Sequence, residues 1–180
     1  MHRLFIALRP PPAIRARLIA LMEGVPEARW QSEAQLHLTL RYIGEVEARV
    51  ADEVVLALGQ VHGLAPSVAL AGVGRFGGAR AGDALWAGVA PAAPLALLHK
   101  KLDQALARIG LPHEGRAYHP HITLARLPRR TPAPPVDAFL ARHAALTSAP
   151  FTMDAMLLYE SHLGQEGADY EAIGRWPLDL

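Results

Sequence analysis

Leu36-His37-Leu38-Thr39-Leu40-Arg41 and His121-Ile122-Thr123-Leu124-Ala125-Arg126 are near-copies of one short pattern, His-x-Thr-Leu, written once in each half of the chain. Alternation of apolar and polar residues marks each copy as a strand with one face in a core. Successive side chains of a strand point to opposite faces. His37 therefore shares a face with Thr39, and His121 shares one with Thr123, while Leu38, Leu40, Ile122 and Leu124 anchor the other side. The same alternation expects Arg41 on the His37 face and Arg126 on the face opposite Thr123.

Outward from the first copy, residues 3–9 read as a buried strand stopped by Pro10, Pro11 and Pro12. A helix is expected over 13–22, the first motif strand over 36–43, and a helix over 46–61 with Val50, Val54 and Leu58 on its apolar stripe. Strands are expected over 67–73 and 85–89, then a helix over 94–109 that Gly110 and Pro112 end. The second motif strand, 121–127, leads into a proline-rich loop, a helix over 136–146, and strands over 151–161 and 170–176. Helices interleaved with hairpin-like strand pairs indicate an α+β fold with mostly antiparallel sheet. Each motif is followed by a helix and further strands, as in an internal duplication. The expected architecture is one domain over 1–180, made of two intertwined, pseudo-symmetric lobes. One motif (37–40 and 121–124) falls in each lobe, with helices packed outside and an active-site cleft between.

Composition narrows the chemistry. The chain has 180 residues, 51% of them hydrophobic, enough for a sizeable core. It has no cysteine, which excludes disulfides, thiolate nucleophiles and Cys-based zinc sites. No apolar run approaches the roughly 18 residues that span a bilayer. The apolar start after Arg3 is too short for a secretory leader, so a cytoplasmic protein with no membrane partner is expected. A formal net charge of +1 argues against a broad footprint on duplex nucleic acid but allows a local basic cleft. Nearly all the cations are arginines, which reads first as a compositional bias toward Arg, Ala and Pro and second as a supply of planar forks suited to phosphate.

One His-x-Thr motif is explained by an ordinary half-polar strand; two matching copies are not. If both faces meet in one cleft, they place two imidazoles and two hydroxyls around one point. An imidazole titrates near pH 6.5, so one ring can accept a proton while the other gives one. The hydroxyls can donate to the non-bridging oxygens of a phosphate. Such a set suits phosphodiester chemistry. No H-E-x-x-H pattern occurs, and no carboxylate stands in ligand spacing beside His37 or His121, so neither a metal nor a cofactor is expected.

Gly72-Val73-Gly74-Arg75-Phe76-Gly77 matches a dinucleotide-binding fingerprint, but no helix begins after it, and a rim loop running on through 78–82 is the better reading. Phe76 has two readings, a core aromatic or a platform for a base.

The paired motifs are together similar to the 2H phosphoesterase superfamily, and within it to the RNA 2',3'-cyclic phosphodiesterases, historically called 2'-5' RNA ligases. The likeness extends to Arg29-Trp30 before the first motif, to Leu85-Trp86-Ala87-Gly88-Val89, and to the final stretch 158–178. It implies a bilobal fold and metal-independent hydrolysis of a 2',3'-cyclic phosphate at an RNA end to a 2'-phosphomonoester. It implies His37 as proton donor, His121 as proton acceptor, Thr39 and Thr123 on the phosphate oxygens, and Arg126 on the phosphate despite simple alternation. Further substrate contacts are expected of Arg41, His119 and Phe76. His119 stands where the family often has Arg or Lys, and reads either as a weaker, pH-dependent contact or as a surface residue. The implied substrate is RNA with a cyclic phosphate end or a cyclic nucleotide, bound by a monomer. Two other functions fit the same residues: action on small cyclic nucleotides or 2'-5' linkages, and a non-catalytic module that binds RNA ends.

Overall fold

The computed structural model describes residues 1–77 and 83–180; of the expected rim loop over 72–82, residues 72–76 are instead the end of a strand, because they pair with the strand that follows, and 78–82 lie outside the described residues. In chain order the elements are β1 (His2–Leu8), α1 (Pro12–Ile19), β2 (Arg29–Trp30), β3 (Leu38–Val46), α2 (Ala48–Leu58), β4 (Ser67–Phe76), β5 (Asp83–Ala90), α3 (Ala93–Arg108), β6 (His121–Leu127), α4 (Ala133–Arg142), β7 (Phe151–Thr152), β8 (Ala155–Gly164) and β9 (Gly167–Pro177). The strands form one sheet in the order β7-β4-β5-β6-β3-β1-β8-β9, with β2 added on β6. Every pairing is antiparallel.

That order has an approximate twofold at its centre. Outward from the seam, β3, β1, β8 and β9 lie on one side, and β6, β5, β4 and β7 on the other. The two motif strands are the innermost pair. The motif strands thus join two halves of one sheet edge to edge. The seam itself is one registered pair, Leu38 with Ile122, both fully buried.

One large core lies behind the sheet. It gathers Leu4, Ile6 and Leu8 of β1, Leu38 and Leu40 of β3, Ile122 and Leu124 of β6, and the inner faces of the helices. Leu95, Leu98, Leu102 and Leu106 give α3 its stripe at helical spacing. A second, small cluster of Phe5, Ala7 and Tyr159 sits on the opposite face of β1. Burial on both faces is why residues 3–9 carry an almost continuous apolar run instead of alternating.

Three local departures have physical causes. The last helix starts three residues before the expected 136, because Pro134 and Pro135 sit in its first turn, where a missing N–H breaks no helical bond. The expected strand over 151–161 is divided into β7, which pairs with β4, and β8, which pairs with β1. Between β2 and β3, Ser32 opens a short 3-10 turn (Glu33–Gln35) in which its hydroxyl accepts from the Gln35 N–H and its own N–H donates to the Gln35 side chain. No helix among the described residues is long and apolar enough to cross a membrane.

Candidate active site

Both motif strands carry a β-bulge at the leucine after threonine. In the β1–β3 pair, Ala7 faces Thr39 and Ile6 faces Arg41, which leaves Leu40 unmatched. In the β5–β6 pair, Trp86 faces Thr123 and Leu85 faces Ala125, which leaves Leu124 unmatched. An extra residue on one strand puts two neighbours on the same side and resets the alternation beyond them. Direct partners share a face, so the sides can be read off. Thr39 lies with Ala7 on the cleft face, Leu40 and Arg41 turn back toward Ile6, and Tyr42 returns to the cleft face opposite Phe5. In β6, Leu124 and Ala125 turn inward together, both with no exposure, and Arg126 returns to the Thr123 face.

The bulges exchange the expected positions of the two arginines. Arg126 stands on the cleft face three residues after Thr123. Arg41, two residues after Thr39, is carried to the back and is only 7% exposed. Its guanidinium donates to Asp103 on α3 at 3.0 Å and to the carbonyls of Tyr42 and Pro112. The expectation of Arg41 as a substrate contact is therefore corrected: it is a buried tie between β3 and α3. Burial alone would raise the Asp103 carboxyl, but the Glu114 N–H, His113 and Arg41 together hold it down at about 2. By the approximate twofold, the residue corresponding to Arg126 is Tyr42.

The seam brings the four motif side chains together. With Leu38 opposite Ile122 in an antiparallel pair, His37 comes across from Thr123 and Thr39 across from His121. The two histidines are then diagonal neighbours on one face, with backbones about 7–8 Å apart. Each feels the Arg126 guanidinium, and His37 also feels His121.

The rings are held alike. Nδ1 of His37 lies 2.6 Å from the Gln35 carbonyl, and Nδ1 of His121 lies 2.7 Å from the His119 carbonyl. A carbonyl oxygen only accepts, so each Nδ1 carries the hydrogen, and in the neutral ring each Nε2 keeps its lone pair for the cleft. Nε2 of His37 is 3.1 Å from the Thr39 hydroxyl. Burial is the main influence on both imidazoles. It outweighs the carbonyl bonds and, with Arg126 and the neighbouring histidines, pulls His37 down to about 4 and His121 below its ordinary value.

Aromatic walls stand beside each imidazole. Phe5 lies 4.9 Å and Tyr170 5.3 Å from the His37 ring, centroid to centroid, with Tyr159 behind them. On the other side, Phe76 meets His121 edge to face at 4.8 Å, and Trp86 packs on His119 at 4.9 Å. Phe76 is thus a wall of the cleft and not a core residue. His119, two residues before His121 across Pro120, packs on both Phe76 and Trp86 beside the site. Of the fingerprint-like glycines, Gly74 is explained by the same wall and Gly72 by its backbone. A Cβ on Gly74 would stand 2.1 Å from the Trp86 ring, and Gly72 has φ +69°. Phe5, Tyr159, Tyr170 and Trp86 were not expected at the site from the sequence. For Phe5 the signal is weak, since a strand buried on both faces hides which residues face a cleft.

Among the described residues, no group of three His, Asp or Glu side chains is placed to hold a metal ion. Two hollows beside α3, around Gln60–His62–Lys101 and Leu64–Leu97–Asp179, contain no His–Thr pair.

The model of the 2'-5' RNA ligase superfamily matches residues 10–165. The chain belongs to this superfamily. A curated relative from Escherichia coli K12, named RNA 2',3'-cyclic phosphodiesterase, is 31% identical, with 98% of this chain and 97% of the relative aligned. A relative of the same name from Geobacillus stearothermophilus is 30% identical over 86% of this chain; there the chain spans about half (49%) of the relative's length. Among solved structures, E. coli LigT complexed with 3'-AMP superposes with a TM-score of 0.78 at 27% identity, covering 98% of each chain. The superfamily and enzyme class implied by the paired motifs are the ones these relatives carry.

Proposed function

We propose that this superfamily member hydrolyses the 2',3'-cyclic phosphate at an RNA end to a 2'-phosphomonoester, as a monomer and without a metal. Water attacks phosphorus and loses a proton to the lone pair on His121 Nε2. The P–O3' bond breaks as His37, protonated at Nε2, gives its proton to O3'. Thr39 and Thr123 donate to the non-bridging oxygens, and Arg126 offsets their charge. Solvent exchange then returns the two rings to their starting states.

The observation that supports this reading is the Leu38–Ile122 pair, which joins the two motif strands next to both histidines, whose rings are turned alike by carbonyl bonds at Nδ1 and interact electrostatically. The low basicity of His37 in the free protein suits a donor, because a weakly held proton is given up readily. A phosphate anion beside His37 favours the protonated ring and so opposes the burial that depresses its basicity. Both motifs come from one chain, so one copy supplies the whole centre.

The deciding experiment is product identification from an oligonucleotide ending in a 2',3'-cyclic phosphate. A 2'-phosphate supports the proposal. A 3'-phosphate reverses the assigned leaving group, and intact substrate bound without turnover indicates a binding module.

A further inference from the structure

Arg29 stands directly opposite Arg126 in the β2–β6 pair. Trp30, the next residue, faces Ala125 and packs against Phe139 in the core behind the sheet. Arg29 therefore lies on the cleft face beside Arg126. Among the described strand pairs this is the one that sets two arginines opposite each other. Like charges in that position destabilise a sheet. Elsewhere arginines converge on carboxylates: Arg9 and Arg15 share Glu33, and Arg41 holds Asp103. Neither the Arg29 nor the Arg126 side chain has a hydrogen-bonded or ion-paired partner among the described residues. Arg29 is exposed, so nothing in the fold requires its charge there.

An uncompensated cation pair on the face of a phosphate-handling cleft is explained by two anionic groups on the ligand. We propose that Arg29 holds the phosphodiester on the 5' side of the terminal nucleotide, so that the site selects RNA chain ends over cyclic mononucleotides. This rests on the reading that Arg126 holds the cyclic phosphate itself. The two side chains are rooted about 5 Å apart, and each fork suits one phosphate. A cyclic mononucleotide brings one phosphate and engages one fork. A chain end brings a second phosphate one nucleotide away and engages both.

The test compares kcat/KM of the wild type and Arg29→Gln on two substrates, a 2',3'-cyclic mononucleotide and a dinucleotide with a 2',3'-cyclic phosphate end. The variant should lose about tenfold on the dinucleotide, mostly in KM, and less than about twofold on the mononucleotide. Replacing the internucleotide phosphate by an uncharged methylphosphonate should cost the wild type about the same tenfold and cost the variant nothing more. Arg29→Lys should keep part of the effect. The melting temperature of Arg29→Gln without ligand should equal or exceed that of the wild type, since a repulsion is removed. Equal losses on both substrates, no loss on either, or a methylphosphonate penalty undiminished in the variant overturns the assignment. A wild type that turns over neither substrate defeats the cyclic phosphodiesterase reading itself. A wild type that turns over both, with Arg29→Gln unchanged, defeats only the role of Arg29.

Discussion

Leu38 is the direct partner of Ile122, the one registered pair between the motif strands β3 and β6. Everything at the centre is placed by it, because each histidine is adjacent in sequence to one of these two fully buried residues. Acid–base catalysis from that seam predicts that His37→Ala and His121→Ala each lower kcat by about 10²–10⁴-fold. Binding of a 2'-phosphate product should survive in both. A variant with near-normal kcat would remove that histidine from the chemistry.

The two arginines that the bulges exchange should behave differently. Arg41→Ala breaks a buried ion pair and should cost about 3 kcal/mol of stability, with kcat/KM per folded molecule nearly unchanged. Arg126→Ala should leave the melting temperature close to normal and weaken both anion binding and turnover. Denaturation curves paired with kinetics check both; a specific loss of substrate affinity in Arg41→Ala would restore it as a ligand contact.

Two depressed imidazoles give a signed pH dependence. In the free protein both basicities lie below 6.5, His37 at about 4. The optimum of kcat/KM, which reports the free enzyme, should therefore fall on the acid side of 6.5. Bound phosphate favours the protonated ring, so the kcat profile should be displaced to higher pH than the kcat/KM profile. Coincident profiles, or a shift the other way, contradict this. Stability follows the same sign. As pH falls from about 6.5 toward 4, an unfolded chain protonates His37 before the native one does, so the native state loses stability. His37→Gln should remove part of that loss in pH-dependent melting.

Gly74 lies flat beneath Trp86, leaving no room for a methyl group. Gly74→Ala should cost about 1–3 kcal/mol, displace the indole, and alter the wall behind His121. Near-ultraviolet circular dichroism and kcat measured together test this; an unchanged spectrum would mean that the ring relaxes freely.

Turnover should persist after exhaustive EDTA treatment. Activity lost to the chelator and regained with Zn²⁺ or Mn²⁺ would require a metal in the mechanism.

Most of the fold was legible because its signals are periodic. The helical stripe of α3 and the paired alternation around His37 and His121 located elements to within a few residues. What alternation could not reveal was an interruption of itself. A bulge at Leu40 or Leu124 leaves no mark in composition, since leucine suits either strand face. It shows only through the partner strand's register, which is a tertiary property. Arg41 and Arg126 were therefore placed on the wrong sides by local reasoning, and resemblance alone put Arg126 at the phosphate. β2 escaped for a similar reason. Two residues carry no period, and Arg29–Trp30 pairs only because β6 offers a free edge beyond the seam.

A centre astride a pseudo-dyad has no inherent direction: exchange its halves and each imidazole takes the other's place. Direction enters where the halves differ. Tyr42 occupies the position that Arg126 holds in the other half, so a phenol marks one end and a cation the other. On the proposed reading, an incoming anion would be drawn off the axis toward β6. That single inequivalence, created three residues beyond each threonine, can assign different duties to two otherwise interchangeable bases.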